Sequence, residues 1–128
     1  MRQIIVDTNI LLDYILVREP FYSKFKPIFE KSESGQVNII VILPVFLELE
    51  WVLRSVYKID RVTLAGYLQG LIDSFSVEQE PVLQESITIY QDHGNISLTD
   101  AVILSIKNNK YPEMEFLTND RNLQKLIK

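Results

Sequence analysis

No cysteine occurs among the 128 residues, so disulfides and thiolate metal sites are both excluded. Histidine occurs once, at His93, so clustered imidazole ligands are also ruled out. There is no low-complexity or Gly/Ser-rich stretch to act as an internal linker, and no repeat. No apolar run approaches the roughly 20 residues that cross a bilayer, and the one behind Met1-Arg2-Gln3 is too short for a signal peptide. A cytoplasmic chain without membrane contact is therefore expected. Positive charge is in deficit, with 13 Lys and Arg against 17 Asp and Glu and a net charge of -4. That excludes a generally basic nucleic-acid-binding surface, because phosphate contacts normally dominate such affinity. Nucleic acid is still compatible where a bound cation supplies local positive charge. What the sequence has is apolar residues, 47% of the chain, enough at this length for a single domain over 1–128 with one hydrophobic core.

The chain begins with Ile4-Ile5-Val6-Asp7-Thr8-Asn9. A continuous β-branched run suits a strand buried on both faces, whereas Asp, Thr and Asn suit a helix start. Asp7 is thus expected at the C-terminal end of the first strand, the edge at which open α/β sheets bind ligands. Helical spacing follows through Ile10, Leu11, Tyr14 and Ile15 and closes before Pro20; a second helix fits Tyr22 to Ser32, with Gly35 beyond it. Val37 to Leu43 reads as a second buried strand, Val45 to Tyr57 as a helix, and Asp60 opens another helix through Ile72. Phe75 to Val77 fits a short strand and Val82 to Tyr90 a helix, with turn chemistry at Asp92-His93-Gly94-Asn95. Ser97 begins a helix, Met114 to Leu117 reads as a strand, and Asn119 to Ile127 as a final short helix. Strands alternating with helices predict an α/β protein, a parallel sheet with helices on both faces.

This topology brings carboxylates to one edge. Asp120 follows the last strand as Asp7 follows the first, Glu48 lies near the start of the helix after the second strand, and Asp100 sits near the start of another. Each has a capping alternative: Asp7 and Asp120 as N-caps, Asp100 through Ser97-x-x-Asp100, which resembles a capping box. At about 100° per residue, Val45, Leu49, Val52 and Val56 form an apolar stripe, with Glu48 roughly 70° and Glu50 roughly 130° from its centre. Glu48 is accordingly expected at the margin of the core and Glu50 on the surface, paired with Arg54 four residues on. Two carboxylates 4 Å apart repel by about 4 kcal/mol at an effective dielectric near 20, so several at one edge call for a cation. All-oxygen ligands select hard ions, Mg²⁺ or Mn²⁺ over zinc, and such ions act on phosphates.

Ile-Val-Asp-Thr-Asn-Ile-Leu-Leu at 5–12, Leu-Glu-Leu-Glu-Trp-Val-Leu at 47–53, Asp100-Ala101 and Leu-Thr-Asn-Asp at 117–120 together resemble the PIN-domain family, most of all its VapC-type toxins. The resemblance spans nearly the whole chain. It implies a three-layer α/β fold with a central parallel sheet of four to five strands flanked by helices. It also implies a metal-dependent endoribonuclease that leaves a 5′-phosphate and a 3′-hydroxyl. The family's acidic metal ligands and catalytic groups map onto Asp7, Glu48, Asp100 and Asp120, with Mg²⁺ or Mn²⁺ as cofactor. Thr8, Asn9, Ser97 and Asn119 match positions beside them. Three residues before Asp100, where many relatives carry a further acid, this chain has Ser97, which bears on binding of a second ion. The partners implied are an RNA substrate, a cognate antitoxin protein seated on the active-site groove, and a second copy in a homodimer.

Tyr14, Phe21, Tyr22 and Phe25 are candidates for the apolar part of the antitoxin interface, with core packing as their alternative role. His93 reads as a solvated turn residue and Trp51 as packing. Arg18, Lys24, Arg54, Lys58 and Arg61 fit either phosphate contacts bordering the cleft or solvated helix faces. A housekeeping PIN nuclease and a non-catalytic PIN-like scaffold are the alternatives within the same fold. A haloacid-dehalogenase-type phosphatase fails on the missing second Asp after Asp7 and a missing late Lys. A response-regulator receiver fails because Val41-Ile42-Leu43-Pro44 holds no phosphoacceptor Asp.

Overall fold

The structure, a computed structural model, describes residues 1–127. Its elements run β1 (Arg2–Ile5), α1 (Thr8–Leu16), α2 (Phe21–Glu33), β2 (Val37–Val41), α3 (Leu43–Ser55), α4 (Arg61–Ser74), β3 (Ser76–Val77), α5 (Glu80–Asp92), α6 (Leu98–Lys110) and α7 (Arg121–Gln124). The sheet is parallel in the order β1-β2-β3, with Ile4 opposite Ile39 and Ile40 opposite Ser76. Helices flank it, as crossover connections between parallel strands require.

Local chemistry accounts for the element ends. Asp60 caps α4, its carboxylate accepting from the Thr63 amide at 2.9 Å and the Thr63 hydroxyl at 2.8 Å; these bonds hold its pKa below the ordinary Asp value. Ser97 caps α6, accepting from the Asp100 amide at 3.0 Å, a contact worth about 1 kcal/mol. Gly35 follows α2 at a positive φ of 79°, where a side chain would be strained. The core gathers Phe46, Leu49, Leu53, Leu64, Leu68 and Leu83 between α3, α4 and α5. A smaller cluster of Ile96, Ala101, Leu104 and Leu123 seats α7 on α6.

Two expectations about the sheet are corrected. Three strands form among the described residues, not four to five, because Met114 to Leu117 adopts no strand. Glu115 interrupts its apolar residues, and of the four only Phe116 is half-buried, against the smaller cluster. β1, expected to be buried on both faces, is consequently an edge strand with Ile5 64% exposed. β2 is the central strand, with Val37, Ile39 and Val41 all buried.

Candidate active site

β1 ends just before Asp7, where the chain turns into α1. Asp7 is the N-cap of that helix, its Oδ1 accepting from the Thr8 amide at 2.6 Å. Asp7 therefore caps α1 and also stands exposed just beyond the C-terminal end of β1. Thr8 is buried beneath it, and Asn9 is exposed on the first turn of α1.

On α3 the structure reverses the expected phase. Val45, Phe46, Leu49, Glu50 and Leu53 are the buried residues, which moves the centre of the stripe roughly 60° from the Val45–Val56 line at about 100° per residue. Phe46 and Leu53 pull it inward, while Val56, past the helix end, is exposed. Glu50, expected on the surface, is 3% exposed, and Glu48 is exposed. The pairing of Glu50 with Arg54 is present at 2.8 Å, but its acid lies inside the core and also accepts from the Tyr90 hydroxyl at 3.0 Å. A buried carboxylate needs such donors. Burial first, then Glu50, pushes the Tyr90 pKa up to about 12. Trp51, expected to pack, points away from this stripe and is 55% exposed.

Asp100 lies in the first turn of α6, half-buried, and only one arm of the capping box forms: its amide donates to Ser97, while its carboxylate accepts no hydrogen bond among the described residues. Asp120 caps α7, Oδ1 accepting from the Leu123 amide at 3.0 Å, and Asn119 is exposed beside it. Asp7, Glu48, Asp100 and Asp120 thus each keep at least one carboxylate oxygen that no group among the described residues uses. None of the four meets a cationic side chain among the described residues. These hard oxygen donors fit Mg²⁺ or Mn²⁺ in kind. Among the described residues, no three acidic or histidine side chains gather closely enough to hold an ion.

The basic residues divide in a way that sequence could not show. Arg61, a candidate phosphate contact, turns inward: its guanidinium lies 3.7 Å over the Tyr90 ring and donates to the carbonyls of Tyr90, His93 and Ile96. Arg18 pairs with Asp13 at 2.7 Å. Lys24 and Lys58 are exposed. Asp13, not singled out from the sequence, is a buried acid on α1; the signal available was its place inside the apolar face Ile10-Leu11-Leu12-x-Tyr14.

The PIN domain family model matches residues 4–128. The chain belongs to the PIN-domain family. This PIN domain is 25% identical over 124 residues to the VapC ribonuclease of Aquifex aeolicus (strain VF5), a match covering 95% of this chain and 90% of that protein. No solved structure is significantly similar to it. Among the described residues no helix is long and apolar enough to cross a membrane.

Proposed function

We propose that this PIN domain is a divalent-metal-dependent endoribonuclease and the toxin of a toxin–antitoxin pair. The observation that carries the reading is the near full-length similarity to a VapC ribonuclease. The four carboxylates named by the family motifs, without counter-charges among the described residues, add to it. In this proposal Asp7, Glu48, Asp100 and Asp120 would hold Mg²⁺ or Mn²⁺ by closing in on the ion from spacings at which no three of them gather among the described residues. When bound, such an ion polarises phosphoryl oxygens and lowers the pKa of a coordinated water. The protein's own part is placement. The Ser97 cap fixes the turn that presents Asp100, the end of β1 fixes Asp7, and Asn9 offers an exposed amide beside it for a phosphate oxygen or the ribose.

An antitoxin fits the same site by charge, since a basic side chain of a partner can sit among these acids in place of an ion. Of the aromatic candidates for the rest of that interface, Tyr14 is stacked on Phe29 at 3.8 Å and on Tyr22 at 6.0 Å, which gives it a packing role. Phe21 is 49% exposed. A homodimer in the cytoplasm completes the proposal.

The test is incubation of purified protein with structured RNAs in Mn²⁺, Mg²⁺ or EDTA, with the cut ends mapped. Cleavage that needs the ion and is lost in Asp7→Asn is the expected result. Metal-independent cleavage, or full activity in Asp7→Asn, overturns the reading.

A further inference from the structure

A groove of about 610 Å³ runs between α1 and α2, starting at Asn9, two residues beyond Asp7. Its apolar walls are Ile10, Phe21 and Phe25, and its polar groups include Asn9, Asp13 and Lys24. Asp13 is 7% exposed, and its Oδ1 accepts from Arg18 Nε at 2.8 Å and lies 2.7 Å from Arg18 Nη2 in an ion pair. Arg18 is itself held by the Tyr57 hydroxyl. Oδ2 of Asp13 accepts nothing among the described residues and is not a buried orphan. The carboxylate is thus held in orientation through one oxygen, Asp13 lines the groove, and its second oxygen is not fully closed off from solvent.

The remaining charges decide what fits. Asp13 and Arg18 neutralise each other, and the Glu19 carboxylate is taken by the amide and hydroxyl of Ser23. The Lys24 ammonium has no carboxylate partner among the described residues and lies 5.2 Å over the Phe25 ring. An exposed aromatic wall, a buried acceptor held in orientation and an exposed cation suit a nucleotide. The base stacks on Phe21, its amino group donates to Asp13, and its phosphate meets Lys24. Six residues of helix place Asp13 about 9 Å from Asp7, within reach of a nucleotide next to a phosphodiester held there.

We infer that the α1–α2 groove is a nucleotide subsite of the RNA substrate, in which Phe21 stacks an unpaired base and Asp13 selects one carrying an exocyclic amino group, disfavouring uracil. The inference rests on the ribonuclease reading for its substrate class. Base recognition here is separate from the acids that cut.

Binding in EDTA separates the two. Fluorescence anisotropy with labelled oligo(A), oligo(C) and oligo(U) hexaribonucleotides is expected to show the wild-type chain preferring A and C over U by about tenfold, the scale of one good base-edge contact. Phe21→Ala should weaken oligo(A) binding by about tenfold. Lys24→Ala should lower the salt dependence of binding by about one ion. Both substitutions are at exposed positions, and unchanged melting temperatures check that the fold is kept. Equal affinity for A, C and U, no measurable binding, or wild-type affinity in Phe21→Ala overturns the subsite. If Phe21→Ala instead lost only binding to the antitoxin, the groove would belong to that protein and the inference would fall. Subsite-dependent binding without any cleavage in Mn²⁺ would leave the subsite standing and remove the nuclease reading.

Discussion

Glu48 and Glu50 are two residues apart on one helix and meet opposite environments. Glu50 is enclosed by α3 and α5 with Arg54 and Tyr90 as its donors, whereas Glu48 is exposed and accepts no hydrogen bond among the described residues. Glu50→Gln is expected to lower unfolding free energy by about 1–3 kcal/mol, because one donor is left poorly matched in the core; thermal denaturation measures it. Glu48→Gln should leave the melting temperature unchanged and cut the metal-dependent cleavage rate by orders of magnitude on the proposed reading. If Glu48→Gln instead melts early and cleaves normally, the two roles are exchanged. Asp100→Asn tests the half-formed capping box. The structure has Ser97 accepting from the amide of residue 100, which any side chain there preserves, so the variant is expected to keep its stability and lose cleavage. Ser97→Ala should do the converse in stability, losing about 1 kcal/mol.

At the scale of elements, the turn between α5 and α6 is held by Arg61, whose three backbone acceptors span Tyr90 to Ile96. The stacked Tyr90 ring ties that turn to Glu50 on α3. Tyr90 gives this assembly a pH signature. Its folded pKa of about 12 lies above the ordinary value of 10.0, so its stabilisation is complete below pH 10. As pH rises from 10 toward 12, the unfolded chain releases the phenolic proton while the folded chain keeps it, and stability falls by up to about 1.4 kcal/mol per pH unit. Urea denaturation from pH 9 to 11.5 should show a steeper loss in wild type than in Tyr90→Phe; equal slopes would contradict the shift. Helix positions were readable in advance because caps and periodicity are local: Asp60 and Ser97 begin α4 and α6 as their chemistry indicates. The rotation of α3 was not. Val52 and Phe46 have similar apolarity, and which of them faces inward depends on what α4 and α5 present to the helix.

The whole molecule carries a net charge of -4, and four of its acids have no counter-charge among the described residues, an arrangement suited to a cation or a basic partner segment. On the proposed function, expression of this chain alone arrests growth, and co-expression of its neighbouring antitoxin gene relieves the arrest. Growth unaffected by abundant, folded wild-type protein would speak against the toxin role and leave a housekeeping nuclease of the same fold.

By itself the sequence determined the α/β class, the helices with their caps, and the placing of Asp7 at the end of the first strand, because these follow from apolar runs and hydrogen bonds between near neighbours. The PIN-domain motifs were also legible, since they are short and fixed in order. Only the tertiary structure decided that Glu50 is inside and Glu48 outside, that Arg61 serves backbone carbonyls, that Asp13 lines a groove, and that β1 is an edge strand. Each of these depends on which distant segments meet, and a helix or strand does not carry in its own residues the identity of what packs against it.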